Sequence, residues 1–164
     1  MTERPVGHVR REGKSYTLVL EREYPVPCRE VWRALTEPDL LSEWLGHVTI
    51  DPRVGGTFEI DFGGEDRAGG RILRLEPLRM LEFEWGEQSS SSVVRFELME
   101  TEDGTRLVLT HALQSESVSR STAPGWHAHL DLFEGTLRGA RLTWDEVYAA
   151  AVPRYAGAVP GPIE

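Results

Sequence analysis

The chain has 164 residues, 27 acidic against 18 basic, for a net charge of -9 with neutral histidines. No basic run is present that could neutralise a phosphate backbone, so nucleic acid and anionic membrane surfaces are not expected as partners. The charged stretch 1–14 lacks an apolar signal segment, no later segment approaches the ~20 apolar residues of a membrane span, and the single Cys28 cannot form an internal disulfide. The expectation is one soluble, cytoplasmic domain over 1–164, with a core at about 16–155 and flexible termini.

Tyr16, Leu18 and Leu20 alternate at period two up to the break Pro25-Val26-Pro27, which predicts a first strand over Ser15–Tyr24. A short helix follows, with Pro27 at its first position, Glu30 complementing the positive helix end, and Val31, Trp32 and Leu35 on one face. Pro38 opens a second short helix carrying Leu40, Leu41, Trp44 and Leu45, and Gly46 ends it.

From 48 to 112 the pattern becomes alternation broken by turn residues, as in antiparallel hairpins. Six strands are predicted near 47–51, 56–63, 69–76, 79–86, 92–100 and 105–112, with Asp103-Gly104 a strong hairpin signal and 89–92 a serine-rich tip. Phe58, Ile60 and Phe62 share a face, as do Leu73 with Leu75, Leu81 with Phe83 and Trp85, Val94 with Phe96 and Leu98, and Leu107 with Leu109. The intervening Glu59, Asp61, Glu82 and Glu84 are expected to point to water, so the sheet needs cover on one side only. That cover is a helix over 126–137, in which Trp126, Leu130, Phe133 and Leu137 form a stripe. A polar loop over 114–125 precedes it and is expected to move and gate a pocket. Gly139 breaks the helix, Thr143 and Glu146 form a capping box for a last helix carrying Trp144, Val147 and Tyr148, Pro153 ends that helix, and the tail to Glu164 is loosely held.

Three motifs carry a family resemblance: Val31-Trp32-Arg33-Ala34-Leu35-Thr36-Glu37-Pro38, then Leu40-Leu41-Ser42-Glu43-Trp44-Leu45, then Asp51-Pro52-Arg53-Val54-Gly55-Gly56-Thr57-Phe58. Together with Gly125-Trp126 and Leu130, they resemble the START-like domains of the Hsp90-ATPase-activator (AHSA1-like) family, within the polyketide-cyclase and lipid-transfer group, from Tyr16 to Tyr155. The resemblance implies an α+β helix-grip (START/Bet v 1-like) fold. In it a curved antiparallel sheet of about seven strands wraps a long C-terminal helix, two short helices follow strand 1, and a pocket lies between sheet and helix.

Strand parity points His111 and Arg71 toward the covered face, where they would be polar ends of an apolar pocket. Equally, His111 could bond a neighbouring backbone group and Arg71 could sit at a solvated strand end. The expected ligand-binding set is Phe58, Phe62, Arg71, Leu73, Phe83, Trp85, Phe96, Leu109, His111, Trp126, Leu130 and Phe133, some of which simply fill the core. His127 and His129 are two apart on a helix and face opposite sides, so they cannot share a metal ion, while His127 and Asp131 could pair on the surface. Cys28 has no catalytic partner at a recognisable spacing, and no nucleophile elbow, phosphate loop or dinucleotide fingerprint occurs.

The leading expectation is a small hydrophobic or aromatic molecule bound between sheet and helix, with no cofactor, no metal and no nucleic acid; a homo-oligomer is compatible with it. An alternative implied by the resemblance is cyclase-like or aromatase-like catalysis with His111 as acid or base. A third is a co-chaperone role, which a chain the size of one START-like domain fits poorly.

Overall fold

The computed structural model describes residues 7–87, 90–113 and 116–155. Eight strands and four helices follow in the order β1 (His8–Glu12), β2 (Ser15–Tyr24), α1 (Cys28–Thr36), α2 (Pro38–Trp44), β3 (His47–Ile50), β4 (Thr57–Gly63), β5 (Asp66–Glu76), β6 (Met80–Glu87), β7 (Ser90–Glu100), β8 (Thr105–Leu113), α3 (Glu116–Arg138) and α4 (Trp144–Tyr155). The strands make one antiparallel sheet in the order β1-β2-β8-β7-β6-β5-β4-β3. Only the β2-to-β3 connection leaves its neighbourhood, and α1 and α2 carry the chain there from one end of the sheet to the other.

The sheet has eight strands where about seven were expected, and the additional one is β1, inside the charged stretch read as a terminus. Its only apolar residue, Val9, is fully buried, and Gly13 at φ 63° makes the tight turn back into β2. At helix α1 Pro27 is the N-cap and Cys28 the first helical residue, one position later than predicted. Val31, Ala34 and Leu35 bury one face of α1, and Trp44 from α2 is locked onto it by donating its indole N–H to Ala34 O at 2.8 Å.

The largest departure concerns α3. Residues 116–125, expected as part of a loop, form its first turns, with Pro124 inside the helix. Proline and glycine are helix breakers by local propensity, yet Ala123 and Trp126 are packed in the core at 1% and 2% exposure, and tertiary packing overrides the propensity. Gln114 and Ser115 lie outside the described residues, as do Gln88 and Ser89 and the tail after Tyr155, whereas 90–92 of the serine-rich stretch expected as a tip belong to β7. The predicted stop at Gly139 holds. Its φ of 71° lets Ala140 N–H reach Gly135 O at 2.8 Å and Gly139 N–H reach Thr136 O at 3.3 Å, a Schellman cap.

The capping box of α4 is present. Glu146 N–H donates to Thr143 Oγ1 and Thr143 N–H to a Glu146 carboxylate oxygen. Val147, Ala151 and Tyr155, four apart, bury one face of α4, so the helix runs through Pro153 rather than ending there. Among the described residues no helix is long and apolar enough to cross a membrane.

Candidate functional site

Parity fails in β5, and the failure relocates two expected site residues. The pairing Ile72↔Phe83 is followed by Arg74↔Glu82, leaving Leu73 as an extra residue in a β-bulge. Before the bulge the even residues Ala68 and Ile72 face inward; after it, Leu75 does. Arg71 and Leu73 therefore lie on the outer face, Leu73 at 38% exposure and Arg71 with a guanidinium N–H donating to Gly55 O at 3.3 Å. Neither reaches the covered side, because a bulge reverses which residues of a strand share a face.

Six expected residues pack tightly inside. Phe58, Phe83, Phe96, Leu109, Leu130 and Phe133 are each no more than 1% exposed. Phe58 stacks on Phe83 at 4.1 Å, Phe83 on Phe96 at 6.3 Å, and the edge of Trp44 meets both Phe96 and Phe133. These rings form a continuous filled core.

His111 is buried on the covered face, as parity predicts, with its bonding capacity used by protein groups. Trp126 Nε1–H donates to His111 Nδ1 at 2.9 Å. An indole N–H can only donate, so Nδ1 accepts and the neutral ring carries its proton on Nε2. That nitrogen lies 2.7 Å from Ser92 Oγ, which in turn donates to Trp85 O at 3.1 Å. Burial pushes the imidazole pKa down to about 4, which keeps it neutral and able to accept. His111 thus fixes the orientation of Trp126.

Trp126 leads to the opening. A recess of about 230 Å³ is lined by Phe62, Asp66, Trp85, Thr122, Gly125, Trp126, His129 and Trp144. An adjoining cleft of about 770 Å³ shares Phe62, Asp66, His129 and Trp144 and runs along α2 past Glu43, Trp44, Gly46 and His47. Phe62, Trp85, Trp126 and His129 close a circuit of rings whose successive centroids are 6.1, 5.2, 5.5 and 6.3 Å apart, and Trp144 covers His129 at 4.5 Å. His129 Nδ1 is 2.9 Å from Trp44 O, a pure acceptor, so this nitrogen carries the proton and Nε2 is left as an acceptor. Burial lowers its pKa to about 4, against the opposing pull of the Trp44 carbonyl.

Of the expected ligand set, Phe62, Trp85 and Trp126 meet at this opening. Sequence reasoning missed His129, Asp66 and Trp144 as lining residues. The spacing of Trp126, His129 and Phe133 at i, i+3 and i+7 placed His129 on the gripping face, and that was the available signal. Trp144, read with the buried face of its helix, is 39% exposed and stacks on Tyr148 at 5.2 Å.

The histidines diverge as expected, and among the described residues no group of three or more His, Cys, Asp or Glu could hold a metal ion. His127, however, is buried at 2% exposure and not in a surface pair with Asp131. Its Nδ1 faces Tyr155 Oη at 2.9 Å and Arg22 Nη2 at 3.3 Å, while Nε2 faces Asp131 at 3.7 Å. Arg22 points inward from β2 at 3% exposure and pairs with Asp131 at 3.5 Å. Tyr155 also accepts Gly7 N–H at 2.8 Å, so the cluster ties β2, α3 and α4 to the start of β1. Burial, reinforced by the Arg22 and Arg154 charges, lowers the His127 pKa to about 3. The i, i+4 spacing of His127 and Asp131 reads as a surface pair in sequence, and only the fold brings Arg22 from β2 onto it and buries it.

A curved antiparallel sheet closed by a long helix, with an opening between them, defines a helix-grip domain. The chain belongs to the Activator of Hsp90 ATPase homolog 1-like family (AHSA1), whose model matches residues 25–138. No curated protein matches the chain. Among solved structures, it is similar to CalU16 from Micromonospora echinospora, with 29% identity, a TM-score of 0.74 and coverage of 94% of this chain and 95% of that one. It is also similar to protein MLL2253 from Mesorhizobium loti, at 31% identity and a TM-score of 0.68 over 77% of this chain and 99% of that one. The protein encoded by BPP1335 of Bordetella parapertussis is 27% identical with a TM-score of 0.69, covering 99% of this chain and all (100%) of that one.

Proposed function

We propose that the protein binds a small molecule with a flat apolar body in the aromatic opening between the sheet and α3. The carrying observation is the circuit Phe62, Trp85, Trp126 and His129, capped by Trp144, at a recess that the filled core does not extend into. Apolar walls with a few convergent polar groups are the general form of small-molecule sites. The helix-grip fold supports this reading, since its pocket lies between the same two layers. Two of the five tryptophans line the walls and one forms the outer cover, so binding has an intrinsic optical signal.

Naphthalene is a suitable neutral probe. Titration should quench tryptophan emission saturably, and Trp144→Ala, which removes a half-exposed ring outside the core, should weaken binding several-fold with the fold retained. Absence of saturable quenching by naphthalene and by larger planar hydrocarbons would overturn the reading.

A further inference from the structure

The lining of the opening has a charge character that the apolar reading does not use. We propose that the site selects an organic cation, a tertiary or quaternary ammonium carried on an apolar body, held against the rings with Asp66 as counter-ion. The proposal rests on the small-molecule reading above and names its ligand class.

Three observations converge. First, five rings line the recess, tilted to one another rather than coplanar: Phe62, Trp85, Trp126 and His129 follow one another at centroid distances of 5.2 to 6.3 Å, and Trp144 lies over the fourth. Indole faces present the negative end of the ring quadrupole, and tryptophan is the strongest aromatic partner for a cation. Second, the charge of the lining is one-signed. The recess carries Asp66, and the adjoining cleft carries Glu43, Asp61 and Asp66, with no lysine or arginine lining either. Asp61 is engaged by Arg67 at 3.5 Å and by Gly63 N–H at 2.8 Å, whereas the Asp66 carboxylate has no ion-pair partner among the described residues. Third, the one imidazole lining both parts is neutral and offers only an acceptor lone pair, because its donor nitrogen is spent on Trp44 O. An ammonium N–H can bond there, while a carboxylate meets Asp66 in the recess and Glu43 and Asp61 in the cleft beside it.

A quaternary ammonium is the sharper probe because it cannot form hydrogen bonds and so reads the rings and the carboxylate alone. Phenyltrimethylammonium and tert-butylbenzene have nearly the same shape and differ in charge. Titrated side by side by tryptophan fluorescence or calorimetry, the cation should bind at least tenfold more tightly. Asp66→Asn should weaken the cation far more than it weakens tert-butylbenzene, removing most of that preference. Trp144→Leu should reduce the cation preference further than it reduces hydrocarbon binding. Added salt should weaken the cation only. If tert-butylbenzene binds as well as or better than the cation, the charge inference falls and the apolar reading stands. If neither binds, both fall. A cation preference that survives Asp66→Asn in full would transfer the selection to the rings and overturn the role given to the carboxylate.

Discussion

Trp126 on α3 and His111 on β8 are joined by a 2.9 Å hydrogen bond in which the indole can only donate and the imidazole must therefore accept. It connects the gripping helix to the sheet at the level of the opening, and it sets the face that Trp126 shows to the recess. His111→Leu should strand the Trp126 N–H, leave Ser92 Oγ with only its bond to Trp85 O, and cost roughly 1–3 kcal/mol of stability. Trp126→Phe strands only His111 Nδ1 by comparison. A double-mutant cycle on urea midpoints should give a coupling of about 1 kcal/mol, and zero coupling would mean the bond contributes nothing. Naphthalene affinity should change less than stability does, since His111 is one layer behind the lining.

Acid should unfold the protein earlier than its carboxylates alone would predict. His111 and His129 are held near pKa 4 and His127 near 3 by burial, whereas an unfolded histidine titrates near 6.5. Between those values the unfolded chain binds protons that the folded one refuses, so stability falls as pH drops below about 6.5 and keeps falling toward 4. Each buried imidazole contributes a slope on the order of 1 kcal/mol per pH unit in that window. Denaturation midpoints measured at pH 7.5, 6 and 5 should decline steadily, and His129→Gln should make the decline shallower. A flat profile from 7.5 to 5 would show that the histidines are accessible and titrate normally.

Phe133 tests the closed core. The ring is fully buried against Trp44 at 4.8 Å and Tyr24 at 5.4 Å, and it lines neither the recess nor the adjoining cleft. Phe133→Ala should cost about 3–5 kcal/mol, since the surrounding aromatic rings can collapse only partly into the gap. A loss below 1 kcal/mol, read from urea denaturation, would indicate a cavity at that position.

The turn between β5 and β6 stores strain at one residue. Arg79 N–H bonds Glu76 O at 2.9 Å, and Leu78 occupies the left-handed position at φ 69° with its side chain 44% exposed. A type II turn with proline second demands a positive φ at the third residue, which glycine or asparagine takes without a Cβ clash. Leu78→Asn should raise stability by roughly 0.5–1 kcal/mol, visible as a higher melting temperature. An unchanged or lower one would remove the strain argument.

The elements legible in the sequence were those with a strong local period. The β2 alternation, the apolar stripe of Trp126, Leu130 and Phe133, the Gly139 stop and the Thr143 capping box all depend on residues within a few positions of one another. Less legible were features set by distant partners. The strand β1 is held by one buried valine and a tyrosine 148 positions away. The first turns of α3 persist across Pro124 because Ala123 and Trp126 are packed in the core. Of the site, the three aromatic walls were visible as strand and helix periodicity, whereas Asp66 and Trp144 approach His129 only through the bend of a hairpin and the packing of α4.

The bulge in β5 gives the most direct check on which face the chain shows. Sequence parity pairs Leu73 with Leu75 on one side, while the register assigns the inward position to Ile72, 1% exposed, and leaves Leu73 at 38%. The two residues are adjacent, both aliphatic, and differ only in the side they face. Ile72→Ala should therefore cost about 2–4 kcal/mol, whereas Leu73→Ala should stay within about 0.5–1 kcal/mol of the parent. Leu73→Lys extends the contrast, since a charge on the outer face is solvated and one at position 72 would be buried without a partner. Chemical denaturation of the four single variants Ile72→Ala, Ile72→Lys, Leu73→Ala and Leu73→Lys reads the result directly. Equal losses at 72 and 73 would remove the bulge, and a greater loss at 73 would restore the unbroken alternation and turn Arg71 back toward the helix.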